Sequence, residues 1–254
     1  MEHRPLFTLE DISKKFPNGV EAVSHISTKI YEGECLLIAG SNGSGKTVLI
    51  HMLAGLLEPS GGTITFRGQT LKKGIQQLRR EVGLVFQEAD VQIIGDTVSE
   101  DVAVGPKNLR YSKAEIATRS EAALHAVGLS DKKDFLPRHL SGGEKRRLAI
   151  AGVLAMGAEI IIMDEPFANL DWPGVIQVLE VIQTLKETNK TVIILTHELE
   201  KVLAFAERLL IVHKGTLCAD GSPEQVLNAL KPLWGVRDPR VSYTVVQDCS
   251  WLMT

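Results

Sequence analysis

Short, continuous apolar runs alternate with helical repeats along much of this chain. The runs at 35–39, 160–163, 192–195 and 209–212 predict buried parallel strands. Two of these runs are followed by apolar residues at helical spacing, which predicts helices bearing Val48, Leu49, Met52, Leu53 and Leu56, and then Val175, Val178, Leu179 and Ile182. Strands that alternate with helices indicate an α/β fold built around a parallel sheet.

Two other regions depart from this alternation. Near the N-terminus, glycine turns separate apolar positions that predict antiparallel strands half covered by a core: Phe7, Leu9, Ile64 and Phe66. From about 90 to 157 the pattern is mainly helical. There, Ser112 and Glu115 form a capping box that begins a helix, and Gly128 is placed to end it.

The patterns divide the chain into one large domain and a short extension. We expect a domain over 1–230, with a helical subdomain at roughly 90–157, and a C-terminal extension over 231–254. The segment 232–234 would either pack on the core or contact a second subunit. The pattern fades after Pro232, so the end of the chain is expected to be loosely ordered.

Composition narrows the class of protein. The chain has 254 residues, of which 44% are hydrophobic, so a large core is available. No apolar stretch approaches the roughly 20 residues of a membrane helix, and no apolar signal region follows Met1. A net charge of −3 gives no support for nucleic-acid binding. The cysteines lack metal-ligand spacing, and we expect Cys35 to be a buried apolar residue in a reducing, cytoplasmic setting.

The first chemical motif follows the strand at 35–39. It fits G-x-x-x-x-G-K-[ST] at every fixed position: Gly40, Ser41, Asn42, Gly43, Ser44, Gly45, Lys46 and Thr47. Glycines let the backbone point its N–H groups at phosphate oxygens, and the following helix N-terminus adds partial positive charge. We expect Lys46 to reach the β- and γ-phosphates and the Thr47 hydroxyl to bind Mg²⁺. The alternative is a chance glycine-rich turn.

A second motif ends the run at 160–163 with two carboxylates. Asp164 is expected to hold the Mg²⁺ shell, directly or through water, as the acidic strand-end residue does in phosphate-loop enzymes. Glu165 is then placed to act on the attacking water as a general base. The alternative is a solvated strand end before Pro166.

A third motif, Ser141, Gly142, Gly143 and Glu144, is a capping box that opens a helix. It can serve helix formation alone. Two glycines in a first turn are nevertheless poor choices for stability, since each costs about 1 kcal/mol relative to alanine. They are explained if a γ-phosphate approaches the Ser141 hydroxyl and the N–H groups of the two glycines.

Together these motifs resemble those of the ATP-binding-cassette (ABC) ATPases, over roughly residues 5–230. The resemblance implies a RecA-like parallel-sheet core, an N-terminal antiparallel β-subdomain and an inserted helical subdomain. It also implies that ATP is clamped between two such subunits, because the segment at Ser141 serves the nucleotide held by the partner's phosphate loop. The partner would be an identical chain or a related one, and the sequence leaves this open.

Four further residues match the family's pattern. Gln87 matches the glutamine that touches Mg²⁺ and the attacking water, and His197 matches the switch histidine at the γ-phosphate. Asp171 lies in the loop that crosses the dimer interface, where Asn169 departs mildly from the usual Ala or Gly. Phe16 corresponds to the aromatic that stacks on adenine. Taken singly, such residues are more often a surface glutamine, a structural histidine and a core phenylalanine.

The segment 84–106 most resembles the energy-coupling-factor branch, which includes importers of vitamins, cobalt and nickel. The resemblance implies an ATPase subunit bound peripherally at the cytoplasmic face of the membrane. Asp90 and Gln92 would lie in a short helix facing an integral membrane subunit near Gln87. Ile93 and Ile94 would be either contacts for that partner or ordinary core residues.

Cassette ATPases of DNA repair and chromosome organisation form a rival class. Those proteins separate their motif sets by a long coiled coil or carry DNA-contacting domains. The stretch between Lys46 and Ser141 is too short for this and shows no sustained heptads. A non-catalytic partner that binds ATP but hydrolyses it poorly is disfavoured by the presence of Lys46, Ser141, Glu165 and His197.

Overall fold

A computed structural model describes residues 4–240 of the chain. Its strands and α-helices are, in chain order, β1 (Pro5–Lys15), β2 (Glu21–Tyr31), β3 (Cys35–Ala39), α1 (Lys46–Leu53), β4 (Gly61–Phe66), β5 (Gln69–Thr70), α2 (Leu71–Glu81), β6 (Val82–Val85), α3 (Val98–Val102), α4 (Val104–Asn108), α5 (Lys113–Ala126), α6 (Gly142–Met156), β7 (Ile160–Asp164), α7 (Trp172–Glu187), β8 (Thr191–Leu195), α8 (Leu199–Val202), β9 (Arg208–His213), β10 (Thr216–Gly221) and α9 (Pro223–Asn228). Short 3₁₀ turns occur at Ala89–Val91, Ser130–Lys132, Pro137–His139, Leu203–Phe205 and Pro232–Trp234. Within residues 4–240, none of the helices has the length and apolar character that crossing a membrane requires.

The larger sheet has six strands in the order β10-β9-β3-β8-β7-β6, and only the edge strand β10 runs antiparallel to its neighbour. Every residue of β3, β7 and β8 is buried, as expected of parallel strands covered on both faces. The predicted α/β fold with a parallel-sheet core is therefore confirmed. Strands β3, β6, β7 and β8 end at the same edge, so the loops that follow them meet there.

The smaller sheet is antiparallel and has the order β2-β1-β4-β5. In it, Phe7 pairs with Phe66 and Leu9 pairs with Ile64, which confirms the antiparallel strands predicted from the alternating pattern. The rings of Phe7 and Phe66 lie 5.0 Å apart between centroids.

Two apolar cores hold the sheets and helices together, and β3 contributes to both. Leu36 and Ile38 pack with the antiparallel sheet and α1, whereas Cys35 and Leu37 pack with α5, α6 and α7 on the opposite face. The strand that leads into the glycine loop is thus fixed from both sides. Burial raises the pKa of the Cys35 thiol to about 12, so this cysteine is the apolar core residue that the sequence predicts.

Helices α3 to α6 occupy the stretch for which a helical subdomain is predicted. Ser112 and Glu115 form both hydrogen bonds of the predicted capping box at the start of α5, and Gly128 lies just past its end with φ +65°. The division of the chain into domains at 230, and the subdomain bounds, remain predictions.

Some sequence expectations need correction or lie outside the described residues. Helix α1 ends at Leu53, because the chain turns at Gly55 with φ +68°, and Leu56 is therefore 61% exposed rather than part of the helix face. Of the segment 232–234, Trp234 is buried against the core and Leu233 is exposed. The expected loose order of the chain end concerns residues 241–254, which lie outside the described part.

Candidate active site

A cavity of about 390 Å³ opens where the parallel strands end. The residues that line it come from β2, from the loop and helix after β3, and from the ends of β6, β7 and β8: Ala22, Asn42, Gly43, Ser44, Gly45, Lys46, Thr47, Val48, Gln87, Asp164, Glu165 and His197. The fold therefore gathers most of the predicted site around one cavity. Ala22 was not expected there, since an alanine in a β-strand carries no chemical signal.

The loop after β3 depends on glycine at two close approaches. Gly45 has φ +102°, and a Cβ atom built on it would lie 2.1 Å from the carbonyl oxygen of Ala22. A Cβ on Gly40 would lie 2.1 Å from the carbonyl oxygen of Val212. Both distances are far below van der Waals contact, so the loop fits between β2 and β9 only without side chains at these positions.

Lys46 begins α1 and turns its side chain back over the loop. Its Nζ atom donates hydrogen bonds to the carbonyl oxygens of Gly40, at 2.7 Å, and Ser41, at 3.1 Å. Burial lowers the pKa of the Lys46 ammonium group, while Glu165 and Asp164 act in the opposite direction. The cation thus lies within the cavity between the glycine loop and two carboxylates, where it can meet a phosphate group.

The hydroxyl group of Thr47 and the carboxylate of Asp164 lie side by side. Thr47 Oγ1 donates to Asp164 Oδ2 at 3.2 Å. Burial raises the pKa of the Asp164 carboxyl, the Thr47 hydrogen bond lowers it, and the neighbouring Glu165 raises it further. These two predicted Mg²⁺ ligands are therefore adjacent across 117 residues of sequence.

This donor set fits magnesium better than a metal held by protein alone. The described residues contain no cluster of three or more His, Cys, Asp or Glu side chains arranged for a metal ion. Magnesium prefers oxygen ligands and is usually held by one or two carboxylates together with substrate phosphates and water. Thr47, Asp164 and Gln87 would offer oxygen atoms to it, at the edge of a cavity that the glycine loop also lines.

Glu165 is held in an unusual backbone conformation and is 7% exposed. It has φ +45°, and its N–H group donates to the carbonyl oxygen of Leu195 at 2.9 Å. Its Oε1 atom lies 3.0 Å from Nδ1 of His197. Strain of this kind costs of order 1–3 kcal/mol and concentrates at functional sites. Strand β8 thus holds the Glu165 backbone, and the histidine that follows this strand contacts the carboxylate.

Two buried polar atoms of cavity-lining residues find no hydrogen-bond partner within residues 4–240. They are Oε2 of Glu165 and Oγ of Ser44. Buried polar atoms in native proteins are almost always hydrogen-bonded, to protein, water or ligand. Their presence on residues of the same cavity fits a site that takes a polar ligand with its ordered water.

The segment Ser141–Glu144 is not part of this cavity. It makes both hydrogen bonds of the predicted capping box at the start of α6, and Glu144 is also paired with Lys132. Ser141 and Gly142 are exposed, and a Cβ on Gly142 would meet open space rather than any neighbouring element of the described residues. This helix start is open to a ligand, and a single chain does not bring it into the cavity that contains Lys46.

A second groove, of about 320 Å³, adjoins the first through Gln87. It lies between the segment Gln87–Asp90, the start of α6 and the segment Ala168–Leu170. Next to it, Asp171 caps α7 by accepting a hydrogen bond from the Gly174 N–H group at 3.0 Å. The side chain of Asp171 therefore has a structural partner within the chain, and its predicted contact with nucleotide stays a prediction.

Phe16 lies in the turn between β1 and β2 and is half-buried, so it is not a core residue. Lys14 places its Nζ atom 5.7 Å from the ring centroid. Phe16 is not among the residues that line the cavity, although Ala22 on the adjoining strand is. Stacking of Phe16 on adenine remains a prediction.

The residues expected to face a membrane subunit differ from one another in their exposure and in their contacts. Asp90 is exposed and forms an ion pair with Lys145 at 2.6 Å. Gln92 instead folds back on the end of β6, where its amide bonds the Phe86 N–H group and the Leu84 carbonyl, each at 3.2 Å. Ile94 is 71% exposed.

Ile93 differs from its neighbour. It packs against the helical core, so the core interpretation holds for this residue, whereas exposed Ile94 stays available for a partner.

Sequence comparison with known proteins points to ABC transporters. A family model described as "ABC transporter" matches residues 23–168. The chain is 40% identical over 227 residues to "Energy-coupling factor transporter ATP-binding protein EcfA2" of Methanospirillum hungatei, covering 88% of this chain and 57% of that protein. It is 40% identical over 242 residues to "Cobalt import ATP-binding protein CbiO" of Rhodobacter capsulatus, covering 93% of this chain and 86% of that protein.

A solved structure agrees with the fold. CbiO1 of Clostridium perfringens, described as part of the ABC transporter complex cbiONQ, superposes with a TM-score of 0.82 at 34% identity. The match covers 89% of this chain and 91% of that one. The chain spans little more than half of the Methanospirillum hungatei relative but most of the other two proteins.

Proposed function

This chain belongs to the ABC transporter family, and from that membership we propose that it is the ATP-hydrolysing subunit of a membrane importer. The importer is of the energy-coupling-factor type and takes up a vitamin or a transition-metal ion. The chain works as one of two ATPase subunits that close on ATP and open after hydrolysis. The relatives named for energy-coupling and cobalt import support this branch of the family.

One observation carries the proposal: the two surfaces to which we assign phosphate binding lie apart within the described residues. The cavity beside Lys46 and the open helix start at Ser141 are separate within one chain. Two chains facing each other head to tail would place the Ser141 helix start of one over the Lys46 loop of the other. ATP then completes both halves, and loss of the γ-phosphate removes the charge that the two surfaces share.

The chemistry that these residues supply is chiefly positioning and charge stabilisation. Lys46 and the N–H groups of its loop bind phosphate oxygens. Glu165 accepts a proton from the attacking water through Oε2, the buried atom that has no partner within residues 4–240, while His197 holds Oε1. Thr47, Asp164 and Gln87 would hold Mg²⁺, and the bound ion would neutralise phosphate charge.

The surface around Gln87 is where an integral membrane subunit binds. Asp90 offers an exposed carboxylate there, and Val91 and Ile94 offer exposed apolar side chains. Exposed apolar side chains beside a charge mark surfaces that another molecule covers. Gln92 contributes by fixing the end of β6 beneath this surface. The chain would then be held at the cytoplasmic face of the membrane by its partner.

The proposal is tested on the full chain carrying Glu165→Gln, a change that keeps the ATP contacts and removes the base. Saturated with Mg-ATP, this variant is expected to sediment and cross-link as a dimer. Lys46→Ala is the control, because it removes a phosphate contact and should leave the chain monomeric with weakened ATP binding.

Membrane extracts supply the second arm of the test. Affinity purification of the tagged chain, followed by mass spectrometry, should recover an integral membrane protein. The same experiment identifies the second ATPase subunit as this chain or a relative. Single chains at saturating Mg-ATP, together with the absence of any membrane partner, would overturn the proposal.

A further inference from the structure

Arg146 is a buried cation in the second turn of α6. It is 4% exposed, although arginine side chains are rarely buried unless they are paired. Its Nη1 atom donates to the carbonyl oxygen of Phe86 at 2.6 Å, and its Nη2 atom lies 3.5 Å from the carbonyl oxygen of Ala168. Its Nε atom finds no partner within the described residues. Backbone carbonyls, rather than a carboxylate, therefore hold this charge.

The two carbonyls belong to the two loops that border the groove beside the cavity. Phe86 directly precedes Gln87, and Ala168 directly precedes Asn169 and the turn that leads to Asp171. The guanidinium group of Arg146 itself extends from the helix that Ser141 begins. One side chain therefore joins the glutamine loop, the loop before α7 and the phosphate-binding helix start.

Stability alone explains this arrangement poorly. Burial lowers the pKa of the Arg146 guanidinium, and the nearby Asp164 acts against that effect. A buried charge held mainly by carbonyls is costly compared with an apolar residue of similar volume. The geometry of the guanidinium fork, which donates in fixed directions, is better suited to holding two loops at a set distance.

We propose that Arg146 is a positioning residue for ATP hydrolysis, which holds Gln87 in place through the Phe86 carbonyl and ties it to the helix that carries Ser141. The proposal rests on the ATPase function proposed above. A lysine cannot replace this arginine, because an ammonium group on a flexible stem reaches one carbonyl but does not fork to both.

The next residue, Arg147, provides a matched control. It is 7% exposed and lies on the same helix, and its Nη1 atom donates to two backbone carbonyls, those of Val127 and Gly128. These carbonyls lie at the end of α5, within the helical region, and neither residue lines the cavity or the groove beside it. Arg147→Lys thus disturbs a buried arginine of the same kind without touching the loops that border the cavity.

The test compares Arg146→Lys and Arg147→Lys in the full chain by steady-state ATP hydrolysis and by titration with ATP. Misplacing a catalytic group by about 1 Å costs up to about 10²-fold in rate. We therefore expect Arg146→Lys to lower kcat by about 10- to 100-fold, with KM and ATP affinity changed by less than about threefold. Arg147→Lys should change kcat by less than about threefold.

A double-mutant cycle with Gln87→Ala supplies a readout that general destabilisation would not give. If Arg146 acts through Gln87, then Arg146→Lys should lower kcat much less in the Gln87→Ala background than in the native chain. Additive effects would overturn the proposal, as would equal kcat values for the two lysine variants. A fall in kcat matched by an equal fall in the number of ATP-binding sites would show an unfolded fraction and would also overturn it. Failure of the native chain to hydrolyse ATP would instead contradict the proposed function.

Discussion

Replacing Glu165 with glutamine separates the binding of ATP from its hydrolysis. Glutamine has the same shape as glutamate and can keep a hydrogen bond to Nδ1 of His197, which lies 3.0 Å from Oε1. The phosphate contacts expected from Lys46 and its loop are untouched. What is lost is the buried Oε2 atom, which has no partner among the described residues and which an amide cannot replace as a proton acceptor. Turnover should therefore fall while binding is preserved.

The size of the effect follows from what a positioned base supplies. General acid–base catalysis contributes about 10²- to 10⁴-fold, which corresponds to about 2.7–5.5 kcal/mol of activation free energy. The low exposure of Glu165, at 7%, limits replacement of its carboxylate by bulk water. We therefore expect kcat to fall by at least about 100-fold. Phosphate release at saturating Mg-ATP measures kcat, and titration with a fluorescent ATP analogue measures affinity.

Glu159→Gln is the matched control for this change. Glu159 directly precedes β7, at the end opposite Glu165, and pairs with Lys190 at 2.8 Å on the surface. The Glu159→Gln change should leave kcat within about twofold of the native value, since the loss of an exposed ion pair costs only about 0–1 kcal/mol of folding stability. If Glu165→Gln hydrolyses ATP as fast as Glu159→Gln does, then Glu165 is not the base and the reasoning from its buried oxygen is wrong.

Three further outcomes are expected. Gly142→Ala should leave the urea midpoint of the chain unchanged or raise it, because a Cβ atom there meets nothing within 4 Å, yet it should weaken ATP-driven dimerisation measured by sedimentation, because a phosphate must approach that position. Asp164→Asn should raise the free energy of unfolding at pH 7, because burial raises the pKa of this carboxyl and so penalises its charged form in the folded chain. The contribution of Asp164 to stability is most favourable below its ordinary pKa of about 3.9 and is lost as the pH rises through its pKa in the folded chain. The gain in unfolding free energy should therefore shrink in urea titrations near pH 4. An equal gain at pH 4 and pH 7 would show that the pKa of Asp164 is not raised by folding. Cys35, whose pKa is raised to about 12, should resist alkylation at pH 8 in the folded chain, whereas half-exposed Cys218 should react, as mass spectrometry of the labelled peptides would show.

The parallel core was predictable because its strands are buried on both faces. Such strands have continuous apolar runs, and the runs at 160–163 and 192–195 fall within β7 and β8. Capping boxes were equally readable, since Ser112 and Ser141 satisfy backbone groups within three residues of themselves. These signals are local, so no knowledge of the rest of the chain is needed to find them.

Elements at the margin of the fold gave weaker signals. Strand β2 has only three buried positions and a bulged register with β1, so its alternation is blurred. Helix α2 buries only Gly74 and Leu78, and its remaining residues are mostly polar. Such elements are specified by the neighbours they pack on, which cannot be seen from a short window of sequence.

At the site, the residues that belong to chemical motifs were predictable, and the residues that hold those motifs in place were not. Lys46, Asp164 and Glu165 carry recognisable patterns, and the structure gathers them at one cavity. Arg146 belongs to no such pattern and carries no chemical signal of its own. Its partners, the carbonyls of Phe86 and Ala168, belong to loops far from it in the chain, and backbone carbonyls leave no trace in the identity of a residue.

Gln87 connects the cavity beside Lys46 with the groove that contains Asp90. It lines both the cavity beside Lys46 and the groove that contains Asp90, so one short segment contacts the proposed nucleotide and adjoins the proposed membrane partner. If a membrane subunit and ATP each bind one position of this segment more tightly than another, binding of the membrane subunit must change the affinity of the cavity for ATP. By linkage, ATP must change the affinity for the membrane subunit by the same factor. Since Arg146 ties this segment to the helix of Ser141, loosening that tie should weaken both effects together rather than either one alone.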